Sequence, residues 1–189
     1  MVGREVSDRT ILDEFVNEFV AVLEKQEIKY VIVSGFVAIA HGRARGTIDV
    51  DLILEKLSEN AFSNLFKGLI TAGFECMQSS DSVNVYRDYL INNNSVRFYK
   101  KGSFVPEMEV KFAKDVVDNY QLKTRKKLPL TDLEVWFANV EGNIAFKEEY
   151  LKSEKDLEDA RHLRIIYGDE IDENEIRKIK EMIKEFKDA

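Results

Sequence analysis

Residues 30–55 read YVIVSGFVAIAHGRARGTIDVDLILE, and the fold turns on how this stretch is parsed. Lys29 to Val33 is aromatic and β-branched, the composition of a short buried strand. Ser34-Gly35 stops it, Phe36 to His41 reads as a helical turn or short helix, and Arg43 to Thr47, polar and glycine-containing, reads as a loop. From Thr47 to Leu54 the pattern alternates, with Ile48, Val50 and Leu52 pointing one way and Asp49 and Asp51 the other, the period of a half-buried strand. Aspartate is depleted in strands, so two on one face call for a reason. Side chains at i and i+2 on a strand share a face, so Asp49 and Asp51 can hold one divalent ion without bending the backbone. A glycine turn at the end of the preceding strand can present backbone N–H groups to a phosphate at the same end of the sheet.

Working outward, Ser7 or Asp8 can cap a helix running to about Lys25, because Ile11, Leu12, Phe15, Val16, Phe19, Val20 and Leu23 recur at spacings of three and four. Ser58 caps a second helix through Ala72, with Gly73 as its stop. Phe74 to Met77 reads as a strand. Ser80 to Asn92 fits either a helix, through Val85, Tyr86, Tyr89 and Leu90, or a strand, through Val83-Asn84-Val85. Val96 to Tyr99 and Met108 to Phe112 are two strands around a turn at Lys101-Gly102-Ser103, the second alternating Met108, Val110 and Phe112 against Glu109 and Lys111. Asp115 to Lys127 is polar, and Leu133 to Ala138 reads as one more strand. The remainder is helical: Glu141 to Leu151, a helix opened by the capping box Ser153-x-x-Asp156 with an apolar face of Leu157, Ala160, Leu163, Ile166 and Tyr167, and a last helix opened by Asp172-x-x-Glu175. The fold class is therefore α+β, a mixed sheet flanked by helices. We expect residues 1–138 to form the α/β core with its N-terminal helix, and residues 139–189 a helical annex packed with it as one unit.

At 189 residues and 44% apolar composition the chain can bury one sizeable core. Its longest apolar run is far short of the roughly 18 residues of a membrane span, and the charged start MVGREVSDRT has no apolar signal core behind it, so a cytoplasmic location and no membrane partner are expected. Cys76 is the only cysteine, which excludes an internal disulfide and a thiolate zinc cluster, and its setting near Phe74 suits a buried bystander. The net charge of −7, from 28 basic and 35 acidic residues, opposes extended duplex DNA, whereas a single metal-chelated nucleotide needs only a few positive groups. The basic run Lys123 to Lys127 reads as a solvated loop, with an RNA or an acidic protein partner as its functional alternative.

An isolated Asp-x-Asp is most often the wet face of an amphipathic sheet. Here Glu109 occupies an equivalent place on another strand, and if the two strands are neighbours three carboxylates converge and need a cation to offset them. At this point the residues resemble the nucleotidyltransferase superfamily with the DNA polymerase β type of fold: an apolar strand ending in Gly-Gly or Gly-Ser, about a dozen residues, Asp-apolar-Asp, and a third carboxylate on a later strand. Ser34-Gly35 stands at the glycine pair, thirteen residues intervene, and Asp49-Val50-Asp51 follows. The closer likeness is to small prokaryotic members related to the AbiEii toxins and the minimal nucleotidyltransferases of toxin–antitoxin systems. For these SGFVAIAHGRARGTIDVDL offers counterparts at Ala38, His41, Gly42, Arg45, Thr47, Asp49, Asp51 and Leu52. The later FKEEYLKSEKDLEDARHL is similar to that group's lysine-containing helical stretch. Two positions depart from the pattern, Ser34 in place of a glycine and Phe36 after the pair, whose bulk is expected beside the phosphate turn.

The resemblance implies a nucleotidyltransferase-type fold, a nucleoside triphosphate substrate and Mg²⁺ or Mn²⁺ as cofactor. It places the metal on Asp49, Asp51 and Glu109 as the catalytic carboxylates. Nucleotide contacts fall to the amides of Ser34 and Gly35, to Arg43, Arg45 and Thr47 in the loop, and to Lys147, Lys152 and Lys155 in the annex, where the lysines would neutralise the leaving pyrophosphate. The acceptor, protein, RNA or small molecule, is not named by the sequence, and a partner protein from a two-gene system fits the same group. The rival reading is a non-catalytic nucleotide-binding or antitoxin-like interaction protein on the same fold. His41 is expected to pack or cap, with contact to a ligand from the turn as its functional alternative, His162 is expected to be structural, and Asp156 and Asp159, one helical turn apart, are expected to orient Lys or Arg side chains.

Overall fold

The computed structural model describes residues 11–44, 46–47 and 49–188, so the expected cap at Ser7 or Asp8 and Ile48 at the expected start of the aspartate strand lie outside the described residues. Five strands form one mixed sheet in the order β1-β2-β5-β4-β3. β1 (Tyr30–Val33) runs antiparallel to β2 (Asp49–Leu54), and β2 runs parallel to β5 (Glu107–Phe112). β4 (Val96–Lys100) is antiparallel to both β5 and β3 (Phe74–Cys76).

The two faces of this sheet differ as the alternating sequences require. Tyr30, Ile32, Val50, Leu52, Leu54, Val96, Phe98, Met108, Val110 and Phe112 are buried in the main core with the apolar stripes of α1 (Ile11–Lys25) and α3 (Glu59–Thr71). Aromatic edges knit this layer: the Phe19 ring lies 5.1 Å from Phe74 and 5.7 Å from Phe98, and Phe62 lies 6.2 Å from Phe112. Each such pair contributes about 0.5–1.5 kcal/mol beyond its buried area. α3 begins where expected, the Ser58 hydroxyl accepting the Ala61 amide at 3.2 Å.

The opposite face is divided along its length. Val31 and Ile53 pack with Leu122 and Ala138 in a second apolar cluster, whereas Asp49, Asp51, Glu107 and Glu109 occupy the other end and remain partly exposed. The cover over the apolar end is α5 (Val116–Thr124), whose N-cap Asp115 accepts the Asp118 amide at 2.8 Å. The stretch 115–127 carries no apolar period because α5 buries Asp118 and Gln121 beside Val117 and Leu122. Asp118 is held there by Lys111 Nζ at 2.9 Å and the Lys114 amide at 3.2 Å.

Two further expectations are modified. Residues 80–92 adopt the helical alternative: α4 (Ser82–Asn84), capped by Asp81, runs into a π-helical turn at Val85–Tyr89 and a 3-10 turn at Leu90–Asn92. Residues 133–138 form no full strand; Phe137 alone among them bridges, in parallel to Ile32 and antiparallel to Lys126. The Ile32 amide donates to the Trp136 carbonyl at 2.8 Å and the Ala138 amide to the Ile32 carbonyl at 2.9 Å. The segment is bounded by Asp132 in a left-handed conformation (φ 53°) and by the helix cap Asn139.

The C-terminal helices are α6 (Val140–Phe146), continued by a π-helical turn at Lys147–Leu151, then α7 (Glu154–Tyr167) and α8 (Glu173–Asp188). Ile144, Ala145, Ala160, Leu163, Ile176, Ile179 and Ile183 join the same core as the sheet. The Ser153 hydroxyl caps α7 by accepting the Asp156 amide at 3.2 Å. Leu157, expected on the buried face of α7, is 44% exposed, and Asp159 is buried in its stead. Among the described residues no helix is long and apolar enough to cross a membrane.

Candidate functional site

The parallel pairing of β2 with β5 sets Asp49 opposite Glu107 and Asp51 opposite Glu109, so period-two projection puts all four carboxylates on the uncovered end of one face. Asp51 and Glu109 line a cavity of about 200 Å³ with Ser34, Lys111, Val33, Leu52, Ile53, Phe146 and Leu151. Burial pushes the Asp51 carboxyl above its ordinary range, and the neighbouring Glu109 and Asp49 charges add to this; a hydrogen bond from the Ser34 hydroxyl and the charge of Lys111 oppose it. Asp49 accepts a hydrogen bond from the Thr47 hydroxyl at 2.8 Å. Glu109 accepts from the Ser95 hydroxyl at 2.8 Å and from Arg97 at 2.7 Å, while Arg97 also reaches Glu107 at 3.3 Å. With these engagements, no group of three or more His, Cys, Asp or Glu among the described residues is arranged to ligate a metal ion.

The turn between β1 and α2 (Gly35–Ala40) holds Ser34 at φ 65°, ψ −136°, a region that glycine enters freely and serine enters only with strain. The position thus keeps a glycine-like backbone although its side chain is a serine. Phe36 does not crowd the turn as its bulk suggested: it is fully buried, its ring 6.1 Å from Phe137. At the far end of α2, His41 Nδ1 donates to the Val37 carbonyl at 2.6 Å, which leaves Nε2 to accept the Tyr167 hydroxyl at 2.7 Å. Burial lowers the His41 pKa below its ordinary 6.5. His162 Nε2 donates to the His41 carbonyl at 3.1 Å, so both histidines pack α2 against α7.

The expected nucleotide-contacting cations separate into two sets. Arg43 reaches across to α7, donating to the Lys155 carbonyl at 3.1 Å and the Glu158 carboxylate at 2.5 Å, and it pairs with Asp159. Lys147 is 1% exposed and pairs with Asp159 at 2.8 Å and Asp156 at 3.5 Å, so the two aspartates orient basic side chains as expected. Lys152 and Lys155 are exposed, and Lys152 pairs with Glu149 at 2.9 Å. Arg45 lies outside the described residues.

Sequence reasoning did not single out Arg97, Ser95, Phe146 or Leu151. Arg97 had a signal in the alternation of β4, where it faces Glu109 in register. Leu151 had none, because a period of 3.6 assigns residues after Phe146 to the wrong side once the π-helical turn begins, and Phe146 reads as an ordinary apolar residue of its helix.

No protein-family model and no curated protein sequence matches the chain. Solved structures do. The chain is similar to the solution structure of the antibiotic-resistance factor ANT(2'')-Ia, with a TM-score of 0.58 and 13% identity over 94% of each chain. It is similar to ANT(2'')-Ia in its crystal structure with adenylyl-2''-tobramycin, with a TM-score of 0.58 and 12% identity over 93% of this chain and 98% of that one. An antigenic nucleotidyltransferase-like protein from Paracoccidioides brasiliensis matches with a TM-score of 0.57 and 17% identity, over 91% of this chain and 86% of that one. Identities this low speak to architecture, not chemistry; the five-stranded mixed sheet with its flanking helices is the nucleotidyltransferase fold.

Proposed function

We propose that the chain is a Mg²⁺- or Mn²⁺-dependent nucleotidyltransferase of the small prokaryotic AbiEii-like kind. It moves a nucleoside monophosphate from a nucleoside triphosphate to the hydroxyl of a protein, RNA or small-molecule acceptor. The observation that carries this reading is the register of β2 and β5, which seats Asp51 beside Glu109, with Asp49 on the same face, at a cavity that Ser34 also lines. Asp49 and Asp51 supply the carboxylate oxygens that a hard divalent cation takes, at an Asp51 whose charge is disfavoured by burial and by two like neighbours; Glu109, held by Ser95 and Arg97, would join them on releasing those partners. In this reading Asp49, Asp51 and Glu109 hold the metal, which when bound offsets negative charge on the triphosphate.

The chain's own groups do the rest. The Ser34 and Gly35 amides receive phosphate oxygens, and Thr47 fixes the Asp49 carboxylate. Glu109 takes the acceptor hydroxyl proton as that oxygen bonds to the α-phosphorus and the bond from phosphorus to the departing pyrophosphate breaks. Arg43 and Lys147, both tied to Asp159, hold the loop against the annex, and Lys152 and Lys155, exposed on the annex, would neutralise pyrophosphate. A toxin–antitoxin setting with a partner protein belongs to the same reading.

Purified protein incubated with α-labelled triphosphates, Mg²⁺ and candidate acceptors should transfer label, and Asp49→Asn or Asp51→Asn should each reduce transfer by about a hundredfold or more. Undiminished transfer by either variant overturns the assignment. If none of the four triphosphates raises the melting temperature with Mg²⁺ present, the chain is an interaction protein on this fold.

A further inference from the structure

The cavity beside the carboxylates has a second wall. Phe146 and Leu151 come to it from the two ends of the π-helical turn Lys147–Leu151, in which the Lys152 amide donates to the Lys147 carbonyl, five residues back, at 3.0 Å. The wider turn places Leu151 on the cavity side, and single π turns of this kind recur at functional sites. The Phe146 ring is held in place by a neighbour: it stacks on Tyr150 with centroids 4.7 Å apart and planes 11° apart. Lys187 Nζ in turn lies 4.7 Å from the Tyr150 centroid and donates to the Glu149 carbonyl at 2.9 Å. The result is a preorganised aromatic surface facing a space of about 200 Å³, smaller than the roughly 300–1,000 Å³ that drug-sized ligands occupy. The apolar wall and the carboxylates face the same space, so a planar ring on the one lies close to a phosphate on the other.

We propose that Phe146 and Leu151 are the wall against which the nucleobase of the triphosphate lies, an assignment that rests on the nucleotidyl-transfer reading above. A planar ring against an apolar wall, next to carboxylates suited to a metal-chelated phosphate, is the chemistry of a nucleotide and not of a phosphate alone. Beyond Ser34, Asp51 and Glu109, the polar lining is Lys111, whose ammonium is tied to Asp118 at 2.9 Å. Contact with the ring face, which every base possesses, therefore outweighs reading of its edge.

The test compares binding of the four ribonucleoside triphosphates with binding of inorganic tripolyphosphate, each with Mg²⁺, by titration calorimetry. Phe146→Ala should raise the Kd for the nucleotides about tenfold, the size of one lost base–aromatic contact, and leave tripolyphosphate within about twofold. Leu151→Ala keeps the test open should the first variant fold poorly, since Leu151 is 38% exposed and trimming it disturbs little packing and adds no charge; it should show the same split. Equal losses for nucleotides and tripolyphosphate, or a wild-type protein that binds tripolyphosphate as tightly as any nucleotide, would overturn the base wall while leaving the phosphate and metal site standing. Failure of the wild-type protein to bind any of the five ligands would overturn the nucleotidyl-transfer reading itself.

Discussion

Ser34 concentrates the tension between fold and function in one residue. Its backbone sits at φ 65°, at a strain on the order of 1–3 kcal/mol for a residue with a Cβ, while its hydroxyl steadies Asp51. Ala and Gly both remove the hydroxyl, so the difference between them isolates the backbone. At an ordinary φ, Gly is less stable than Ala by about 0.4–1 kcal/mol; here Ser34→Gly should be more stable than Ser34→Ala by about 1–2 kcal/mol, read from urea denaturation midpoints. Ala equal to or above Gly would show that the turn relaxes. The serine was legible as a departure from a glycine pair, but the retained glycine-like backbone was not, because sequence reports the side chain and the neighbouring strands dictate φ. Phe36 makes the complementary point: a bulky residue beside a binding turn threatens the site only if it faces it, and burial against Phe137 decides that it does not.

Among the elements, β2 and β5 were readable because each exposes one face and buries the other, so the period of two survives in the sequence. α5 was unreadable because it buries Asp118 and Gln121, and a helix that satisfies buried polar groups through Lys111 and a backbone amide erases its own apolar stripe. The same logic explains α7, whose hidden anchor is Asp159 and not Leu157. The contact of Lys147 with Asp159 sets the annex against the loop that Arg43 occupies. Removing one member of a buried pair is strongly destabilising, so Lys147→Met should lower stability by about 3 kcal/mol, whereas Lys152→Met and Lys155→Met should stay within about 0.5 kcal/mol of wild type. Chemical denaturation of the three variants decides this, and a mild Lys147→Met would mean that the pair contributes orientation without stability.

Across the whole molecule, α2 and α7 meet through His41, Tyr167 and His162, residues 41, 162 and 167 of the chain joined in one cluster. The His41 pKa is lowered by folding, so at acid pH the unfolded chain binds this proton more readily than the folded one. The sign follows: the contribution is complete above pH 6.5, the ordinary value, and is lost as pH falls from there through the lowered folded value. Wild-type melting temperature should therefore fall more steeply than that of His41→Gln between pH 7.5 and 5.5, and parallel curves would exclude His41 as the titrating group. The fold-level reading from sequence, an α+β mixed sheet with helices around it, matches the structure because it rested on the long periodic segments. The join between sheet and annex could not be read, since its partners lie more than a hundred positions apart in the chain.

The strip 136–138 that lies along β1 through Ile32 also carries the only tryptophan in the protein, with the Arg125 guanidinium 4.9 Å and Lys127 Nζ 5.6 Å from the Trp136 ring. Indole emission therefore has a single origin, located where the helical C-terminal part of the chain departs from the sheet. Its wavelength would shift when this seam opens, and because Trp136 also packs against the main core it would report the loss of that packing from one position, giving the protein a built-in optical probe.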